Sequence, residues 1–180
     1  MKKNILFYID NKSLIWEDDF YIFTKEDRQN LIIKINKDGL VSLARHFMTL
    51  IINCDNYSHI HLDEFNSLED NSCELIIQKN NLNKKSNITN KEIKKINKNF
   101  IKITIEYEKE INIWHDDDCY IEVSKQEDAF LIDANDIGLL ALTKYFLILA
   151  QPEFKKNNFI LINKNNLLTK QSYKLIIKKI

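Results

Sequence analysis

The stretch Ser58-His59-Ile60-His61-Leu62-Asp63-Glu64 holds the residue types best able to do chemistry in this chain. On a β-strand successive side chains alternate, so His59, His61 and Asp63 share one face while Ile60 and Leu62 take the other. Two imidazoles and a carboxylate could fill three positions around zinc and leave the fourth for water, as in a metal-dependent hydrolase. His46 is the one further histidine considered as a ligand, and it lies on a helix beside an apolar stripe. A second constellation is the pair of acidic runs Glu17-Asp18-Asp19 and Asp116-Asp117-Asp118. They lack EF-hand spacing and read as solvated turns. A third is the acidic stretch Asp63-Glu64, Glu69-Asp70 and Glu74. The chain has no phosphate-cradling glycine loop, no nucleophile elbow, no HExxH and no zinc-ribbon cysteine pattern.

The elements that must position these groups are organised by an internal repeat. Ile15-Trp16-Glu17-Asp18-Asp19 returns as Ile113-Trp114-His115-Asp116-Asp117, and Asn36-Lys37-Asp38-Gly39-Leu40 returns as Asn135-Asp136-Ile137-Gly138-Leu139. Leu68 then matches Leu168, and Leu75-Ile76-Ile77 matches Leu175-Ile176-Ile177. The two tryptophans, kept in both copies, are expected to pack in the core or at a sheet edge rather than serve a ligand.

Each copy reads as β-β-β-α-β-β, an α+β unit with a mostly antiparallel sheet and one packed helix. The strands are expected at 4–9, 20–24, 31–35, 58–62 and 73–79, and again at 100–107, 120–124, 130–133, 159–163 and 173–177. Asn36 is expected to cap the first helix. Leu40, Leu43, Ala44, Phe47, Leu50 and Ile51 then form one buried stripe. The second helix carries Leu139, Leu142, Thr143, Phe146, Leu149 and Ala150 in the same places, with Leu140, Ala141, Leu147 and Ile148 in addition. It is expected to be buried on two sides, between the copies. Gly39 and Gly138 near the helix starts suggest a close backbone approach. The expected domains are a first repeat at 1–79, a basic Asn/Lys-rich linker at 80–99 and a second, diverged repeat at 100–180. Within the linker, Thr89 to Ile96 could instead form a short capped helix. The chain is expected to be a monomer, in which the copies could form an internal pseudo-dimer or sit as beads.

The 180 residues carry no net charge, but the charge is unevenly spread. Residues 1–80 hold 9 basic and 13 acidic side chains, residues 81–99 hold 6 and 1, and residues 100–180 hold 11 and 12. A nucleic-acid binder would carry a basic folded face. An acidic first half suits a basic partner instead. Three cysteines without CxxC spacing point to a reducing compartment. The apolar run after Met1-Lys2-Lys3 is cut by Asp10, too short for a signal peptide, and no stretch is long enough to span a bilayer. A cytoplasmic protein with no cofactor, no nucleic acid and no membrane partner is expected.

The second copy has Phe159, Leu161 and Asn163 where the first has His59, His61 and Asp63. The histidine strand is therefore not demanded by the fold, and a partner-facing surface is the preferred reading over a metal site. Residues 36–44, 58–63 and 74–77 resemble the bacterial polymorphic-toxin immunity proteins, specifically the family numbered thirty-two. The resemblance covers residues 30–79 best. It implies a protein that binds a toxin and blocks it, without catalysis. His59, His61, Asp63, Glu64, Glu69 and Asp70 are then the expected contact face for a toxin with a basic surface, and the metal-dependent hydrolase using His59, His61 and Asp63 is the alternative.

Overall fold

The computed structural model describes residues 1–9, 14–55, 57–80, 93–97, 99–107, 118–163, 168–169 and 171–180. Trp114, Asp116, Asp117 and the 81–92 part of the expected linker lie outside the described residues. Among the described residues eleven strands and two helices follow one another as β1 (Lys2–Tyr8), β2 (Ile22–Asp27), β3 (Asn30–Ile35), α1 (Lys37–Asn53), β4 (His59–Leu62), β5 (Glu74–Lys79), β6 (Ile93–Lys95), β7 (Phe100–Glu106), β8 (Ile121–Gln126), β9 (Ala129–Ala134), α2 (Asp136–Ala150), β10 (Phe159–Ile162) and β11 (Lys174–Lys179). This is an α+β protein with mostly antiparallel sheets. β6 is not among the expected strands: Ile93–Lys95 pairs with β7 rather than running as linker or helix.

The helix starts are built the same way twice. Asn36 Oδ1 accepts from Gly39 N at 2.8 Å and from Tyr21 N at 3.0 Å, while its Nδ2 donates to the Asp19 carbonyl at 2.6 Å. Asn135 does the same with Gly138 N, Tyr120 N and the Asp118 carbonyl, at 2.8, 3.2 and 2.7 Å. One amide thus satisfies an orphan helix donor and ties the helix to the segment entering the preceding hairpin. Glycine is needed because that segment passes so close. A Cβ on Gly39 would lie 2.7 Å from the Tyr21 carbonyl oxygen, and one on Gly138 only 2.2 Å from that of Tyr120.

The helix ends are also alike. The Lys79 ammonium donates to the carbonyls of Leu50, Ile51 and Cys54 at 3.1–3.2 Å, and that of Lys179 to Gln151 and Phe154 at 3.0 and 2.7 Å. A cation placed on unpaired C-terminal carbonyls is favoured by the helix dipole. Lys79 also meets Asp136, at the start of α2, at 3.1 Å. Among the described residues Lys179 is in no ion pair, and Lys37 occupies the matching helix start. Burial, and secondarily the Lys37 charge, pushes the Lys179 ammonium below its ordinary pKa.

The strands do not sort by half. One sheet runs β10-β11-β3-β2 and the other β4-β5-β9-β8. In each, a hairpin from one half joins a hairpin from the other through a parallel pair, β11 with β3 and β5 with β9. The stretch entering β5 also runs along β2, with Glu69 N donating to the Ile22 carbonyl and Cys73 N to that of Thr24. The stretch entering β11 runs along β8 in the same manner, through Thr169 N and Tyr173 N. The two sheets are therefore joined at both seams. The helices pack on each other, with Phe47 and Phe146 edge to face at 5.2 Å. Eleven of the fifteen α2 residues are buried, as its all-round apolar pattern requires. The third sheet, β1-β7-β6, is tied to the segment that follows α2, through Tyr107 against Phe154 and Lys3 bonded to Gln151 and Glu153. A single apolar core results.

Candidate functional site

β4 is the edge strand of its sheet and alternates as its sequence demands. Ile60 and Leu62 are buried, whereas His59 and His61 point outward. His61 Nε2 lies 3.1 Å from Glu74 Oε2, on the next strand. Past Leu62 the chain folds tightly: the Asp63 carbonyl accepts from the amides of Asn66, Ser67 and Leu68. The Asp63 carboxylate accepts from Phe65 N at 2.8 Å, so this acid is committed to its own turn. Glu64 is exposed at the tip. Beside it Phe65 is 92% exposed, the most exposed of the large apolar side chains described. Glu69 and Asp70 are exposed in a second turn, where Asn71 takes a left-handed φ of 63° beside β2. Thus His59, His61, Asp63 and Glu64 sit on one edge strand and its turn. Glu69 and Asp70 follow at the seam between the two sheets.

Tyr57 flanks the strand on its other side. It is 66% exposed and held at a φ of 65°, where a bulky side chain costs roughly 1 kcal/mol or more. Its backbone amide bonds the Lys79 carbonyl at 2.9 Å. Tyr57, Phe65 and Glu74 are absent from the contact set expected from sequence. An aromatic residue set inside a polar, acidic run was the available signal for Phe65.

The zinc arrangement is not formed. Glu74 engages His61, Asp63 is taken up by its turn, and His46 belongs to another environment. His46 is fully buried on α1, edge-on to Trp16 at 4.3 Å, with its Nε2 3.1 Å from the Ile15 carbonyl. Burial pushes its pKa down to about 4, so it is neutral at pH 7 and Nε2 donates the hydrogen bond. Among the described residues no group of three or more His, Cys, Asp or Glu could hold a metal ion. The metal-dependent hydrolase based on His59, His61 and Asp63 is therefore without a ligand set. The acidic run at 17–19 is also more structural than a solvated turn. Glu17 pairs with Arg45 of α1 and its amide bonds Ser42 Oγ at 2.9 Å, leaving Asp18 and Asp19 exposed. Trp16 stacks on Phe20 at 4.4 Å.

An exposed edge strand with acids, two imidazoles and a projecting phenyl ring has the makings of a protein-binding surface. The comparison with known families points the same way: the chain is similar to the immunity proteins. The match is to the family described as Immunity protein 32 and spans residues 31–80, which are β3, α1, β4 and β5. No curated protein and no solved structure matches the chain. No described helix is long and apolar enough to cross a membrane.

Proposed function

We propose that this protein is an immunity protein that binds a cognate bacterial toxin in the cytoplasm and blocks its active surface. It acts by binding and not by catalysis. The observation that carries the reading is that the family match falls on the segment bearing the exposed acidic strand and turn. We take His59, His61, Asp63, Glu64, Glu69 and Asp70 as the contact set, joined by Phe65 and Tyr57 as apolar anchors. The carboxylates steer a basic toxin surface, and a buried phenyl ring supplies the energy of contact. Asp63 contributes by holding the turn rather than by its charge, since its carboxylate is already bonded. We further propose that the matching elements of the two halves descend from one duplicated unit.

Co-expression with the product of the adjacent gene tests this. The expected result is restored growth of cells otherwise killed by that product, together with a one-to-one complex on purification. A neighbouring product that is harmless, or that kills regardless of this protein, would remove the proposal.

A further inference from the structure

The outer face of the β10-β11-β3-β2 sheet carries a groove of about 520 Å³ lined by Lys25, Ile32, Lys34, Phe159, Ile176 and Lys178, with Asn157 at its end. Register explains the grid. Lys178 stands beside Lys34, Ile176 beside Ile32, Lys25 beside Ile32, and Phe159 opposite Lys178. Two lysines at matched positions on neighbouring strands repel each other. No carboxylate lines the groove, and none of the three lysines is in an ion pair among the described residues. Phe159, 59% exposed on the edge strand, adds apolar surface in water. The matched positions on the other sheet are Asp133 for Lys34, Gln78 for Lys178 and His59 for Phe159. There Asp133 accepts from Gln78 Nε2 at 3.3 Å and from Asn80. One face thus pairs its polar groups by hydrogen bonds, whereas the other sets its three lysines without a carboxylate among the described residues, Lys34 resting over the Phe23 ring at 5.4 Å. A local rule broken at the surface is where function is found.

We propose that this basic, apolar-floored groove is a second docking surface, for an acidic protein segment that seats an apolar side chain against Phe159. An apolar centre rimmed by charge is the anatomy of a protein interface. A single-stranded nucleic acid would need several aromatic faces to stack on, whereas Ile32 and Ile176 are aliphatic. A second copy offering its acidic sheet face would dock head to tail and, unless the rotation closed, grow without end. The groove shares no residue with the proposed toxin-contact set, so the inference stands or falls independently of the toxin reading.

A random peptide display library, selected on the full chain and counter-selected on the Lys34→Glu/Lys178→Glu chain, tests the assignment. Labelled copies of the recovered peptides, and a labelled twelve-residue oligothymidylate, are then titrated by fluorescence anisotropy. The expected peptides carry acids flanking an apolar residue. They should lose at least tenfold in affinity on Lys25→Glu or Phe159→Ser as well as on the double reversal, with unchanged melting of the variants. The inference is overturned if no peptide survives counter-selection, if survivors lack acids, or if the oligothymidylate binds more tightly than any of them. Concentration-dependent self-association abolished by Lys34→Glu/Lys178→Glu would also overturn it, in favour of a second copy.

Discussion

The two halves of this protein keep the same inner devices and differ on their outer faces. Asn36 and Asn135 make the same three hydrogen bonds, Gly39 and Gly138 allow the same close approach, and Lys79 and Lys179 close the same helix ends. Outside, His59, Glu74, Gln78 and Asp133 correspond to Phe159, Lys174, Lys178 and Lys34. Fold-maintaining positions are held by geometry that few side chains can meet. Outward positions on the same strands answer only to solvent and partners, so they are where the halves separate. The contrast teaches which residues to read as scaffold and which as surface.

Even the scaffold is not wholly symmetric, and the largest expected effects come from there. Gly138→Ala should cost about 3 kcal/mol, because its Cβ would meet a backbone oxygen that cannot move aside, while Gly39→Ala should cost about 1–2 kcal/mol. Urea unfolding of both variants checks the order, and equal losses would mean that the approach is looser than drawn. Lys79→Met should cost about 2 kcal/mol, since it removes the cation that meets both the last carbonyls of α1 and the Asp136 carboxylate. Lys179→Met breaks no ion pair among the described residues and should be nearly neutral at pH 7. The gap should narrow at alkaline pH, because wild-type Lys179 has a lowered pKa and the protein gains stability as that ammonium is lost below the ordinary value of 10.5. A flat pH response in the difference would break this part of the comparison.

His46, which stands where α2 has Tyr145, supplies a pH signature. Its folded pKa near 4 lies below the ordinary 6.5, so the unfolded chain takes up the proton first as pH falls. The stability it contributes is complete above pH 6.5 and is lost progressively down to about pH 4, to a total of about 3 kcal/mol. Thermal melting from pH 7 to pH 4, compared between wild type and His46→Gln, should show the variant less sensitive.

At the surface the effects are on binding. Phe65→Ala should leave stability within about 0.5 kcal/mol and weaken toxin binding by about 2 kcal/mol. Glu64→Lys with Glu69→Lys should slow association about tenfold at low salt and much less at high salt. Stopped-flow association at two ionic strengths checks this. An unchanged rate would move the contact away from these turns.

Much of this molecule was legible in the sequence, for stated reasons. The Asn-x-x-Gly helix start, the apolar stripe of α1 and the doubly buried α2 follow from capping chemistry and helical period. The outward pair His59 and His61 follows from strand period. The exchange of hairpins was not legible. Leu75-Ile76-Ile77 and Leu175-Ile176-Ile177 present the same apolar triplet, so either β5 or β11 suits either β3 or β9, and only the closed arrangement of both decides. β6 escaped because Ile93-Lys94-Lys95 sits in an Asn/Lys-rich run with little alternation. At the site, the engagement of Glu74 with His61 and of Asp63 with its own turn depends on register and loop geometry. Phe65 was missed because an aromatic side chain is read first as core.

The most direct test measures the affinity of the full chain for the adjacent gene's product, in wild type and in two surface variants. The expected result is a tight one-to-one complex that weakens by about thirtyfold or more in the Phe65→Ala/Glu64→Lys chain and stays within about threefold in the Lys34→Glu/Lys178→Glu chain. No complex, or a complex weakened by the basic-face variant alone, would contradict it.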